Sequence, residues 1–234
     1  MSLVLRGIRK EFRFALSVAF VALSMSSTVR ATPSQSNGSR SSGFASEGDS
    51  ISVTWGGNYT GIYARSRPTV RHCGLASGGG IDTIAARADK VLACSPAVLT
   101  ILVGAHGLAE RAGTEYFLRK LFAYTDEMRA HGVKVAVATI LPEYHPENPQ
   151  YDAIFSRRRA DANAAIRAAV GTHIDAVIDF AADPVMGPDS AARDTRLYRD
   201  GTHPTDGCGV GCGGQGKLAV IYTPVVDKLL GISR

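Results

Sequence analysis

Apolar runs alternate with helical patterns from the middle of the chain to its end, and that alternation restricts the fold more than any other feature. Residues 98–103, Val98-Leu-Thr-Ile-Leu-Val103, read as a strand buried on both faces. Residues 115–131 carry helical spacing, with Phe117, Leu118, Leu121, Phe122 and Met128 on one face and Gly132 as a stop. A second strand spans 133–140, closed by Pro142, and a second long helix spans 151–170, ending near Gly171. Residues 174–180 give a third strand, and residues 215–230 a last helix that contains Pro224. Strand, helix, strand, helix implies an α/β domain: a central parallel sheet with helices on both faces, in three α/β/α layers. One strand is written against pattern. Ahead of Gly48, Ser46 and Glu47 stand where apolar residues are expected.

The two ends of the chain differ in character. Residues 1–31 hold Arg6, Arg9, Lys10, Arg13 and Arg30 against Glu11, a net of +4 out of a total of +5. A basic stretch, an apolar run over 14–25 and the small-residue site Val29-Arg30-Ala31 read as a cleaved signal peptide. The run is short for a bilayer span. The expectation is a secreted or periplasmic protein with no stable membrane association after cleavage. Residues 32–43 read as a flexible leader rich in Ser, Gly and Asn, and residues 44–234 as one domain. The domain is nearly neutral, which argues against nucleic acid as a partner. The four cysteines, Cys73, Cys94, Cys208 and Cys212, suit disulfides in an exported chain. Local pairing, Cys73 with Cys94 and Cys208 with Cys212, is the expectation. No metal site is expected, since Cys-x-x-x-Cys lacks a second ligand pair.

Chemistry concentrates in two motifs. Gly48-Asp49-Ser50 stands at the start of the domain, and Asp200-Gly201-Thr202-His203-Pro204 near its end. A serine, an aspartate and a histidine are the parts of a nucleophilic hydrolase. In a parallel α/β sheet, ligands collect at the carboxyl ends of the strands. Gly48-Asp49-Ser50 is expected there, with Gly48 in a tight turn and Ser50 where a helix begins.

Four blocks in order resemble the SGNH (GDSL) hydrolases. They are Glu47-Gly48-Asp49-Ser50-Ile51, Leu75-Ala76-Ser77-Gly78-Gly79, residues 101–108 and Asp200-Gly201-Thr202-His203-Pro204. The resemblance implies a three-layer, flavodoxin-like sandwich and an ester hydrolase that needs no cofactor. It implies Ser50 as nucleophile, His203 as its base and Asp200 as the group that orients the imidazole. It further implies an oxyanion hole built from the backbone N–H of Ser50, the N–H of Gly79 (with Gly78 as the alternative register) and a side chain in the third block. The family carries Gly-x-Asn-Asp there; this chain reads Gly104-Ala105-His106-Gly107. His106 therefore stands at the asparagine position. An imidazole donates one hydrogen bond in a different direction from an amide, and losing one such donor costs about 10²–10³ in turnover. A substitute donor, a slow enzyme with two backbone donors, and a drifted copy all fit this departure.

Trp55 and Tyr59 follow the nucleophile closely and are candidates to pack on a sugar ring or an acyl group, or equally to sit in the core. Asn58-Tyr59-Thr60 and Asn37-Gly38-Ser39 match the glycosylation acceptor pattern. Arg157, Arg158 and Arg159 read as a solvated charged face. The expected substrate is a small-molecule or carbohydrate ester carrying a short acyl group such as acetyl. Two other classes fit the same motifs: an impaired glycan-binding homologue, and an acyltransferase with a sugar hydroxyl as acceptor.

Overall fold

The computed structural model describes residues 43–53, 57–76, 78–105, 108 and 113–233. The segment read as a signal peptide and the leader up to residue 42 lie outside them. So do Trp55, Ser77 and His106.

In chain order the elements are β1 (Gly43–Gly48), α1 (Ser50–Val53), α2 (Tyr59–Ser66), β2 (Arg71–His72), α3 (Ile81–Ala85) and α4 (Ala88–Cys94). Then follow β3 (Val98–Leu102), α5 (Gly113–Ala130), β4 (Lys134–Ala138), α6 (Pro149–Ala168), β5 (Ala176–Ile178) and α7 (Gly213–Leu230). Two short 3₁₀ turns, Phe180–Ala182 and Asp189–Arg193, separate β5 from α7. The strands form one parallel sheet in the order β2-β1-β3-β4-β5. This is the doubly wound, flavodoxin-like order.

Alternation along each strand sorts the apolar residues into two cores. Ala45, Leu99, Ile101, Val135 and Val137 face a layer that includes Leu121, Met128, Phe155 and Ile166. Phe44, Val98, Leu102, Ala136 and Ala138 face the other layer, with Tyr63, Leu218, Tyr222 and Val226. Side chains two apart on a strand share a face, so each strand feeds both layers.

β1 forms through the residues that break its apolar pattern. Ser46 and Glu47 are both buried. Ser46 Oγ hydrogen-bonds His72 Nε2 at 3.0 Å on the neighbouring edge strand. Glu47 lies 3.6 Å from Arg87 Nε, and neither of its oxygens has a hydrogen-bond partner among the described residues. Burial pushes its carboxyl up to about 7, against the pull of Arg87 and Lys90.

The second strand stops at Ala138, short of the apolar run read through residue 140. Asn163 explains the difference. Its Oδ1 accepts from Ile140 N at 2.7 Å and its Nδ2 donates to Ile140 O at 3.0 Å. A side-chain amide on α6 thus takes the backbone groups that a longer ladder would have used. The third strand shortens to Ala176–Ile178 because the chain turns into the first 3₁₀ segment at Phe180. Pro224 sits inside α7. The missing N–H frees a carbonyl one turn earlier, at Val220, whose residue is 51% exposed and open to water. Disulfides join Cys73 to Cys94 and Cys208 to Cys212.

Candidate active site

The strand order reverses between β1 and β3, so a crevice opens where these two strands end. The chain leaves β1 through Gly48, where a Cβ would lie 2.6 Å from Leu102 O on β3. Glycine is required by that approach. Asp49 follows, buried, and its carboxylate is spent locally: Oδ1 accepts from Ile51 N at 3.1 Å and Oδ2 from Ala105 N at 3.2 Å. Asp49 therefore ties the turn after β1 to the turn after β3.

Ser50 opens α1 beside that tie. The segment is anchored again from the far end of the chain. Gln215, buried in the first turn of α7, accepts from Tyr59 N and donates to Ile51 O, both at 3.0 Å. Asn58 caps α2 through Gly61 N and donates its amide to Ser52 O at 2.6 Å. Its side chain is thus committed to holding the loop, which argues against its use as a glycosylation acceptor.

Across the crevice, Asp200 and His203 arrive on one loop. Asp200 Oδ1 accepts from the backbone N–H of Thr202 at 3.1 Å and of His203 at 2.7 Å. Its other oxygen lies 2.8 Å from His203 Nδ1. His203 Nε2 lies 2.7 Å from Ser50 Oγ. With Nδ1–H donating to the carboxylate, Nε2 is left to accept from the serine hydroxyl. Partial burial acts to raise the Asp200 carboxyl, but the backbone donors and the imidazole outweigh it and hold the group below its ordinary value. An aspartate in that state stays ionised throughout the pH range in which a histidine works as a base.

Gly78 pairs with Asp49 in a parallel bridge and donates N–H to Gly48 O at 3.0 Å. Gly79 follows at once, just ahead of α3. The structure therefore brings Ser50, Asp200 and His203 together and sets Gly78, the residue before Gly79, against Asp49. His106 and Trp55 lie outside the described residues.

Tyr59 is a correction. It was a candidate for substrate contact as well as for the core, but the residue is 2% exposed and packs edge-on against Phe180 and Tyr222 in the core. Its hydroxyl is engaged by Ser52 Oγ at 2.9 Å. The spacing from Ser50 was compatible with either role; the start of α2 turns the ring inward. Arg159 also departs from its reading, since it is not solvated: it reaches Ile140 O, Gly187 O and Asp189 Oδ1. Asp49 and Gln215 are the site residues that sequence reasoning missed. Asp49 was visible inside its motif but without a role; Gln215 has no signal at all, because its work depends on a contact 164 residues away.

Among the described residues, no group of three or more His, Cys, Asp or Glu side chains is placed to hold a metal. No helix among them is long and apolar enough to cross a membrane.

The sequence profile of the GDSL-like lipase/acylhydrolase family matches residues 47–207, and the chain belongs to that family. The match runs from β1 past the loop that carries Asp200 and His203. Solved structures agree on the fold. A GDSL-like lipase from Bacteroides thetaiotaomicron superposes with a TM-score of 0.59 at 19% identity, over 80% of this chain and 88% of its own. A lipase/acylhydrolase from Enterococcus faecalis gives 0.56 at 18%, over 81% and 95%. An acetylxylan esterase from Geobacillus stearothermophilus, studied as a catalytic mutant, gives 0.52 at 15%, over 82% and 94%. No curated protein matches the chain by sequence.

Proposed function

We propose that the protein is an exported serine ester hydrolase that removes a short acyl group, such as acetyl, from a carbohydrate-borne ester. The observation that carries this reading is the 2.7 Å contact between His203 Nε2 and Ser50 Oγ, with Asp200 2.8 Å behind the ring. Ser50 Oγ attacks the ester carbonyl while His203 takes its proton. The backbone N–H groups of Ser50 and Gly79, with His106, receive the developing oxyanion. Asp200 stabilises the imidazolium that forms. His203 then returns the proton to the departing alcohol, leaving the acyl group on Ser50. Water, activated by the same imidazole, hydrolyses that ester and restores the serine.

The fold shared with an acetylxylan esterase supports a polar alcohol. Export is supported by the signal-like first segment and by the disulfides.

The test is hydrolysis of p-nitrophenyl acetate, butyrate and octanoate, and of acetylated xylooligosaccharides, by the wild type and by Ser50→Ala. Turnover is expected to fall on the order of 10⁴-fold or more in the variant, with acetyl esters preferred. Equal rates in the two proteins would sink the nucleophile; a preference for octanoate would sink the short acyl group.

A further inference from the structure

A second histidine–aspartate pair stands behind the loop that carries the first. His145 lies between β4 and α6, and Asp152 lies in the first turn of α6. His145 Nδ1 is 2.9 Å from Asp152 Oδ1, and the backbone N–H of His145 points at both carboxylate oxygens at 3.0 Å. The ring packs edge-on against Tyr151 at 4.8 Å between centroids. The imidazole is thus held by its own backbone, by a carboxylate and by an aromatic neighbour. Donation from Nδ1 to Asp152 leaves Nε2 as an acceptor. Nε2 faces Thr202 Oγ1 at 3.4 Å.

Thr202 is the residue between Gly201 and His203, and its backbone N–H bonds Asp200 Oδ1. The residue before His145 grips the same loop: Tyr144 N donates to Gly201 O at 2.9 Å. That approach is close enough that a Cβ on Gly201, whose φ is +84°, would collide with Tyr144 O. Asp200 ties Thr202 and His203 to itself from within the same loop, and its side chain is about half exposed, at 49%. A chain of contacts therefore runs from α6 through Asp152, His145 and Thr202 to Asp200, then His203 and Ser50.

We propose that His145, held by Asp152, is a positioning residue that fixes the Asp200–His203 loop against Ser50 by way of Thr202. The inference rests on the reading of Ser50, Asp200 and His203 as the reacting groups. The chemistry explains why a side chain is needed there. Displacements of about 1 Å remote from the reacting atoms cost up to about 10² in rate, and Thr202, next to His203 in the chain, is where His145 meets this loop.

The test is a cycle of His145→Ala, Thr202→Val and the double variant, assayed on p-nitrophenyl acetate. Each single change is expected to lower kcat by about tenfold with KM within about twofold. The double variant is expected to be no worse than the poorer single one, since both remove the same link. His145→Gln, whose amide offers a donor to Asp152 and an acceptor to Thr202, is expected to recover most of the loss. Additive losses, an unchanged kcat, or a change confined to KM overturns the proposal.

A second arm needs no turnover. The proton that His203 Nδ1 shares with Asp200 is followed by NMR in Ser50→Ala and in Ser50→Ala/His145→Ala. Faster exchange or loss of that signal in the double variant is expected. An unchanged signal overturns the positioning role even if esters are cleaved. A changed signal in a protein that cleaves no ester upholds the positioning role and sinks the hydrolase reading instead.

Discussion

Two histidine–aspartate pairs adjoin Thr202 and, on the readings proposed above, do different jobs with the same chemistry. In each, a carboxylate holds Nδ1, at 2.8 Å for Asp200 with His203 and 2.9 Å for Asp152 with His145. What differs is the hydroxyl each Nε2 meets. For His203 it is Ser50, at 2.7 Å, on the turn where β1 ends in the crevice. For His145 it is Thr202, at 3.4 Å, inside a loop. The aspartates differ as well. Asp200 is three residues from its histidine and also accepts two backbone N–H groups from the loop, whereas Asp152 belongs to a helix and lends that helix's rigidity to its partner. A histidine–aspartate pair thus has no function of its own. Its role follows from which hydroxyl the second nitrogen reaches and from what surrounds that hydroxyl.

Neutralising the two aspartates separates the pairs most sharply. Asp200→Asn keeps the shape but favours the wrong imidazole tautomer on His203, so kcat on p-nitrophenyl acetate is expected to fall on the order of 10⁴-fold. Asp152→Asn disturbs only the support of the loop and is expected to cost about tenfold. Steady-state kinetics on the two purified variants decides the matter. Equal losses would erase the distinction between a reacting pair and a positioning pair.

The difference between the pairs also marks how far the sequence could be read. Asp200-x-x-His203 is a local motif, and Gly48-Asp49-Ser50 completes it at the other end of the domain, so the first pair was legible without coordinates. The parallel sheet was legible for the same kind of reason: the apolar runs at 98–103, 133–140 and 174–180 each carry their own strand signal. His145 and Asp152 were not legible as a pair. Their spacing of seven means nothing until Asn148 caps α6 and turns the chain so that Asp152 meets His145. Tyr59 failed for a related reason, since its depth is set by packing against Phe180 and Tyr222 from the far end of the sequence. β1 was obscured because Ser46 and Glu47 are buried by their neighbours, His72 and Arg87, against their own propensity.

On the proposed reading, His106 bears on the first pair alone. If its imidazole substitutes imperfectly for an amide donor to the oxyanion, His106→Asn is expected to raise kcat by about tenfold or more. The second pair should be indifferent to that change, so the loss caused by His145→Ala is expected to be the same in either background. Unchanged or lower activity in His106→Asn would remove the substituted oxyanion hole from the account.

A last effect is read in stability and concerns a buried carboxyl near His145. Glu143 lies 3.8 Å from His145 Nε2 and 3.3 Å from the Tyr151 hydroxyl. Burial pushes its carboxyl up to about 8, helped by the nearby Asp49 and Asp152 charges and opposed by the Tyr151 hydrogen bond and Arg159. The folded protein therefore keeps a proton on Glu143 that the unfolded chain releases near the ordinary value of 4.5. Between those two values Glu143 holds more protons in the folded state than in the unfolded one, so its contribution to stability falls as pH rises from about 4.5 to about 8. The slope from one such group is about 1.4 kcal/mol per pH unit at most. Glu143→Gln keeps a neutral group of the same shape and removes the titration. Urea unfolding at several pH values across that window is expected to give a shallower decline in the variant than in the wild type. The residual slope belongs in part to Glu47, whose raised carboxyl acts in the same direction. Parallel slopes in the two proteins would mean that Glu143 is ionised in the fold, and His145 would then face two carboxylates where His203 faces one.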